Sequence, residues 1–559
     1  MVKKLLSFIS KEIGGLHEAA YLLGAFAVLS QLLALVRDRL FASTFGAAHE
    51  LDIYYAAFRI PDFIFVAVAS MVSISVLIPF LMEKIDSGEK EAKEFIDAVF
   101  SVFFLVIGSV GVIAWIFTPF LIKIFFPTFV EDYSTLVSMA RIMLLSPIFL
   151  GFSNFFASIT QIYKRFFIYA ISPLVYNIGI IIGVMVLYKI PGVGLNGLAW
   201  GVALGAFLHF FIQVPFVWQR SLFPRLHFPV NITPVKKVML VSLPRTLTIS
   251  SNEIAKFFLI AIAATLTTGA ISIFHFAWNL QSVPLSVIGV SYSLAAFPVL
   301  TRLFVSGDTK KFVEQMVVST KHIIFWSIPI MILFIVLRAQ IVRVILGSGE
   351  FSWSDTRLTA AALAMFTLSL IPQSLTTLFV RAYYSRGDTK KPLFMNMFSA
   401  FMIVVVTFVM VYVFRNVELF RYFIENLFRI DDVQGSVILM LPLGFTIGST
   451  INMIIHWVAF ERDFRGYSAE IAKPLFQILS SSIIMGAVTY WALDVFGHTF
   501  DINTFLGVFL QGFVAGIIGI AVNIMLLILM KNKEIVVIAN TLKHKIWKAK
   551  IIPPDPSGA

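Results

Sequence analysis

Fourteen long apolar stretches run through this chain, and lysine and arginine gather in every second gap between them. In hydrocarbon a backbone must satisfy its own polar groups, so a spanning segment is a helix or part of a closed barrel. Stretches of about 20 mostly apolar residues are helix-length. The spans read near 18–42, 53–82, 95–122, 134–160, 166–188, 194–217, 238–265, 270–300, 321–346, 356–381, 392–414, 434–460, 474–495 and 503–530. The even-numbered gaps hold groups such as Lys84, Lys90 and Lys93, or Arg381, Arg386, Lys390 and Lys391. Thr265–Ala270 and Asp494–Asn503, both odd-numbered, hold none. By the positive-inside rule both termini are cytoplasmic.

Composition agrees. Of 559 residues, 59% are hydrophobic and only 13% charged, against about 25% charged in soluble domains. The net charge of +12 is topological and faces anionic lipid headgroups, so no nucleic-acid partner is expected. The chain has no cysteine, which excludes disulfides and thiolate metal sites. Neither a Walker loop nor an HExxH or paired-histidine metal motif is present, so no cofactor and no metal is expected.

Two segments are expected to lie in the interface plane, Met1–Leu16 and Arg415–Gln434. In the second, Phe420, Phe423, Leu427 and Phe428 recur at helical spacing among charged residues. The chain also repeats itself at one offset of 219 residues: Pro79 with Pro298, Ser87-Gly88 with Ser306-Gly307, and Pro173-Leu174-x-x-Asn177 with Pro392-Leu393-x-x-Asn396. Leu198-x-x-Gly201-x-x-x-Gly205 matches Leu441-x-x-Gly444-x-x-x-Gly448, further apart because Arg415–Gln434 intervenes. A unit of six spans is even, so both copies enter the membrane in the same sense. The expected fold is an all-α polytopic membrane protein of 14 transmembrane helices, with two parallel six-helix lobes plus two C-terminal helices. The divisions are an N-terminal lobe at 1–232, a C-terminal lobe at 233–460, spans 13 and 14 at 461–531, and a basic cytoplasmic tail at 532–559.

Ionisable residues inside spans cost about 2.5–3.5 kcal/mol each on insertion scales, so they mark candidate sites. They concentrate in the first spans of the two repeats and their neighbours. Span 1 has Arg37, Asp38 and Arg39, span 2 has Asp52, Arg59 and Asp62, and span 7 has Arg245, Glu253 and Lys256. Arg59 with Asp62, and Glu253 with Lys256, are spaced to pair along one helix. His209 and His456, on apolar spans, read as packed histidines.

The first hairpin carries Arg37-Asp38, then Phe45-Gly46-Ala47, Asp52, and Ala57-Phe58-Arg59-Ile60-Pro61. This pattern resembles the MurJ (MviN) family of lipid II flippases. The likeness recurs at Tyr163–Asn177, at Leu198-Ala199-Trp200, and at Tyr384-Ser385-Arg386-Gly387-Asp388 through Pro392. The resemblance implies the two-lobed fold of the multidrug and lipid-linked oligosaccharide exporter (MOP) superfamily. It also implies a bacterial inner-membrane location, a central cavity, and a groove for a polyprenyl tail on spans 13 and 14. The implied substrate is undecaprenyl-pyrophosphate-linked peptidoglycan precursor, and the candidate protein partners are cell-wall synthesis or division proteins. Family arginines are replaced here by Gln31, Phe65 and Asn279, and a Glu-Gly pair by Ser70-Met71.

Guanidinium and ammonium groups lining a wet cleft can take over the hydration of a diphosphate. The candidate cations are Arg37, Arg59, Arg245 and Lys256, supported by Asp38, Asp52, Glu253 and Asn279. Asp388 is a candidate ion or loop site, although a helix-capping role beside Thr389 accounts for it as well. The coupling ion, Na+ or H+, stays open. The expected function is transport, not catalysis: flipping of lipid II by alternating access. The rivals are a flippase for another lipid-linked oligosaccharide, a MATE-like antiporter, and a transport-inactive scaffold that binds lipid-linked intermediates.

Overall fold

A computed structural model describes residues 16–69, 74–219, 222–227 and 232–535. The expectations for residues 1–15, for Ser70-Met71 and for the tail beyond 535 lie outside the described residues. Every described element is helical. Helices stand at all fourteen expected positions, and eleven are long and apolar enough to cross a membrane. The other three positions are Leu16–Phe45, the helical segments His49–Ala57, Arg59–Ile64, Phe65–Ala69 and Ile74–Ser87, and Thr233–Ala263. Together they carry Arg37, Asp38, Arg59, Asp62, Glu253 and Lys256.

Side-chain exposure fits a lipid solvent. On the Glu89–Phe125 helix, Val112, Ile116, Phe117 and Phe120 are all exposed. In water such a patch would drive association, whereas acyl chains accept it at no cost. The helix has 37 residues, or about 55 Å at 1.5 Å per residue, well beyond the ~30 Å hydrocarbon core. Its charged first turns therefore continue past the core. Several hydroxyls inside the spans bond back along their own helices, as Thr118 does to the Ala114 carbonyl and Thr407 to the Ile403 carbonyl. That removes unpaired donors without a partner helix.

The duplication is visible in the backbone. A π-helical segment at Phe65–Ala69 interrupts the second span, and another at Leu285–Val290 interrupts the eighth. Shifting the first by 219 residues lands it within two residues of the second. The repeated glycines serve equivalent packing. A Cβ on Gly201 would stand 2.5 Å from the Gly183 Cα, and one on Gly444 would stand 2.2 Å from Thr407 Oγ1. In each repeat the sixth span thus lies directly on the fifth. Small residues permit that approach where lipid supplies no hydrophobic drive.

The chain forms two compact units: residues 1–283, 345–366 and 388–452, and residues 284–344, 367–387 and 453–559. In the second, Leu300, Phe312, Met316, Phe379, Phe460 and Tyr467 form an apolar core. The last two spans, Ala472–Gly497 and Phe505–Leu529, pair closely, with Gly519 against Thr489.

In the first unit, the Glu418–Phe428 helix follows the Lys390–Asn416 span after a single residue. Leu419, Tyr422, Phe423 and Leu427 are exposed, while Ile424 is buried. After this helix comes Asp432, outside the spans. Arg357 donates to both its oxygens, at 2.6 and 2.8 Å, and to the Arg429 carbonyl. The hydrogen bond from that guanidinium holds the Asp432 carboxyl below its usual range. A carboxyl depressed on folding contributes stability that is complete above its unfolded value of 3.8. That stability is lost as pH falls through the lower folded value. Protection of the amides across residues 430–435, taken relative to the intrinsic exchange rate at each pH, should therefore fall below about pH 4, and Arg357→Gln should flatten that dependence.

Candidate functional site

The Leu16–Phe45 helix brings Arg37 and Asp38 into the first unit with little exposure, 19% and 4% of their side chains. Arg37 donates from Nε at 3.0 Å and from Nη2 at 2.8 Å to Asp38 Oδ1. Its Nη1 donates to Asn177 Oδ1 at 3.0 Å, and Asn177 in turn donates to the Pro173 carbonyl at 3.0 Å. The second oxygen of Asp38 accepts from Asn279 Nδ2 at 2.9 Å. The result is a polar chain, Asn177–Arg37–Asp38–Asn279, running across three spans. Each member is fixed by the next, as a charge-assisted bond needs when water is scarce.

The Ala270–Pro284 helix is the hub of the site. Asn279 reaches Asp38. One residue earlier, Trp278 lies under Lys256, whose Nζ is 5.1 Å from the ring centroid. A turn before that, His275 stacks on Tyr55 with centroids 4.1 Å apart and planes 11° apart. His275 Nε2 and Tyr55 Oη are buried without a hydrogen-bond partner. The 275, 278 and 279 spacing puts all three on adjoining faces of one helix. They meet spans 2, 7 and 1 respectively.

Arg59 is almost fully buried. It pairs with Asp62 at 3.1 Å and donates from Nε to the Tyr55 carbonyl at 3.2 Å. Lys256 Nζ lies 4.0 Å from Glu253 Oε2, a loose pair beside its contact with Trp278. The expected i,i+3 pairs are thus present. Every candidate cation whose side chain is described has a carboxylate from its own helix within 4.0 Å. Arg245 lies in the Thr233–Ala263 helix, and its side chain is outside the described residues.

Asp52 stands elsewhere. It is buried and accepts from Gly269 N at 2.7 Å, Ser272 N at 2.8 Å and Ser272 Oγ at 2.6 Å. It therefore caps the start of the hub helix, where backbone N–H groups lack intrahelical partners and the dipole favours an anion. Asp388 accepts from Lys391 N at 3.1 Å at the start of the Lys390–Asn416 helix, the capping role. His209 is a packed histidine, 2.6 Å from Ser153 Oγ. Among the described residues no group of three His, Asp or Glu is placed to hold a metal ion.

Four contributors lay outside the sequence-predicted set. Asn177 was legible only as part of the repeat, and its second-repeat counterpart Asn396 instead accepts from Asn452 at 2.9 Å. Tyr55, His275 and Trp278 sit on apolar spans, where aromatic residues read as core filler. No spacing signal separates them from the other aromatics.

Comparison with known proteins adds the family. The family described as "Lipid II flippase MurJ" matches residues 41–511. A protein of Buchnera aphidicola subsp. Schizaphis graminum, named probable lipid II flippase MurJ, is 24% identical over 469 residues, 83% of this chain and 87% of its own. The lipid II flippase MurJ of Burkholderia cenocepacia is 22% identical over 493 residues, 87% of this chain and 91% of its own. Among solved structures, a lipid II flippase MurJ in an inward closed conformation superposes with a TM-score of 0.71 at 23% identity, over 91% of this chain and all of that one. An inward-facing MATE-family transporter of the MOP superfamily superposes at 0.62 and 16% identity, over 79% and 95%. The match across most of its length, with the shared all-helical fold, places this multi-pass bacterial membrane protein in the MurJ family of transporters.

Proposed function

We propose that this chain flips lipid II, the undecaprenyl-pyrophosphate-linked peptidoglycan precursor, from the inner to the outer leaflet of the bacterial inner membrane. In this reading the chain has fourteen spans with both termini cytoplasmic, and the lobes at 1–232 and 233–460 alternate access. One observation carries the reading: a charged chain spans three helices around Arg37, in a membrane interior where a charge without a task is costly. A diphosphate is a stronger acceptor than a carboxylate pair partner and can take bidentate bonds from guanidinium. Each on-helix carboxylate therefore acts as a stand-in anion that the substrate displaces. The loose Lys256–Glu253 pair opens most readily. Na+ or H+ coupling would bias this exchange.

The test is rescue of a strain depleted of its own lipid II flippase, scored by labelled precursor reaching the outer leaflet. Wild-type chain should rescue. Lys256→Gln, at unchanged protein level, should lower export roughly 10- to 100-fold, since one charged contact is worth about 1.5–3 kcal/mol. Unaltered export would remove Lys256 from the site. The pairing of Arg37, Arg59 and Lys256 with carboxylates of their own helices also favours a second reading, a scaffold that binds lipid-linked intermediates without moving them. That reading requires binding of the precursor with none of it appearing outside.

A further inference from the structure

Beside the Arg59 and Lys256 pairs lies a cavity of about 330 Å³ with an entirely apolar lining. Ile60 and Phe63 line it from the second span, Phe125 from the third, and Ile254, Phe257 and Phe258 from the seventh. Its wall is aromatic: Phe125 meets Phe257 edge-on with centroids 4.6 Å apart. Phe63, Ile254 and Phe258 are each 38–39% exposed, so the cavity has a mouth.

The lining residues are direct neighbours of the charged ones. Ile60 follows Arg59, Phe63 follows Asp62, Ile254 follows Glu253, and Phe257 follows Lys256. Both helices therefore present a polar face and, one residue round, the wall of this cavity. An amphiphile whose anion lay on those cations would have its first carbons at the cavity. All seven lining side chains are hydrocarbon, so the cavity suits only an apolar ligand. At a water's ~30 Å³ share of volume, it holds on the order of ten heavy atoms, the bulk of two isoprene units.

We propose that this cavity between the second, third and seventh spans seats the diphosphate-proximal isoprene units of the transported lipid. The inference rests on the proposed flippase function and assigns a second contact to that substrate, beyond the cations. It makes affinity depend on the first units of the chain, and it lets the seventh span sense whether the lipid is present.

The experiment uses the full chain in nanodiscs of phosphatidylethanolamine and phosphatidylglycerol, with radiolabelled lipid II as probe. Wild-type binding is measured first, and its absence would overturn the flippase reading and this inference together. Where the wild type binds, a benzophenone amino acid at position 254 or 258 should couple to the labelled lipid. Adducts with phospholipid alone would overturn the inference and leave the flippase reading standing. A second variant avoids dependence on cross-linking. Ile254→Trp fills the cavity and should weaken lipid II binding about tenfold, while leaving unchanged the binding of a head-group analogue with no chain beyond the diphosphate. Equal weakening of both ligands, or of neither, would also overturn it.

Discussion

Arg37→Leu is expected to abolish export and to lower thermal stability sharply. The guanidinium satisfies Asp38 through two nitrogens and Asn177 through the third. Leucine leaves Asp38 a buried charge with only the Asn279 amide for company. Removing one partner of a buried pair costs about 3–5 kcal/mol, because the other charge stays desolvated. Loss of export alone would not separate misfolding from a lost binding group, so two further variants divide the roles. Arg37→Lys keeps the charge but cannot reproduce the three-nitrogen fork. It should fold and export roughly 10- to 100-fold less, the equivalent of about 1.5–3 kcal/mol for one charged hydrogen bond. Arg37→Gln combined with Asp38→Asn removes both charges and should recover most of the stability while export stays lost. Full export from that neutral double variant, measured as labelled precursor outside, would reduce the pair to a packing device.

Gly269→Ala is the second large effect, and it acts through the backbone. Gly269 has φ +81°, and a Cβ there would lie 2.1 Å from the Ala47 carbonyl oxygen. The same turn donates its N–H to Asp52. Alanine in this conformation costs about 1–2 kcal/mol from the left-handed backbone alone. It must also push apart the turn after span 1 and the start of the hub helix. Gly307 is the control, with φ +74° and nothing within 4 Å of its Cβ position. Gly307→Ala should lose only the backbone part. The difference between the two melting temperatures measures the close approach. Two similar losses would mean that the contact at Gly269 relaxes freely. Gly349 repeats the geometry at φ +57° against the Ser43 carbonyl, next to a Glu350 N–H donated to that same carbonyl at 3.1 Å. The end of the first hairpin is thus held by backbone against backbone, which leaves little tolerance for side chains.

The Asn279 position shows how far the resemblance to the family carried. The family pattern leads one to expect an arginine there, and therefore another cation for the substrate. Asparagine contributes an amide that completes Asp38 instead. A charge is absent there, which matches a site whose candidate cations Arg37, Arg59 and Lys256 are each already balanced. Asp52, grouped with the supporting acids in sequence, belongs to the cap of the hub helix rather than to the cation set. Sequence distance hid this, since its partners lie 217 and 220 residues away.

The sequence by itself determined whatever depends on near neighbours along the chain. That includes where helices form, that they face lipid, that six spans recur, and that Arg59 meets Asp62 and Lys256 meets Glu253. Helical period and the solvation cost of charge act over a few residues, so composition and spacing suffice to read them. Only the tertiary structure decided which spans close on one another. It brought Asn177 to Arg37 across 140 residues and Asn279 to Asp38 across 241, and it opened an apolar cavity beside the charged turns. Those contacts depend on how side chains of different helices interlock, and a one-dimensional pattern holds no record of that until the helices pack.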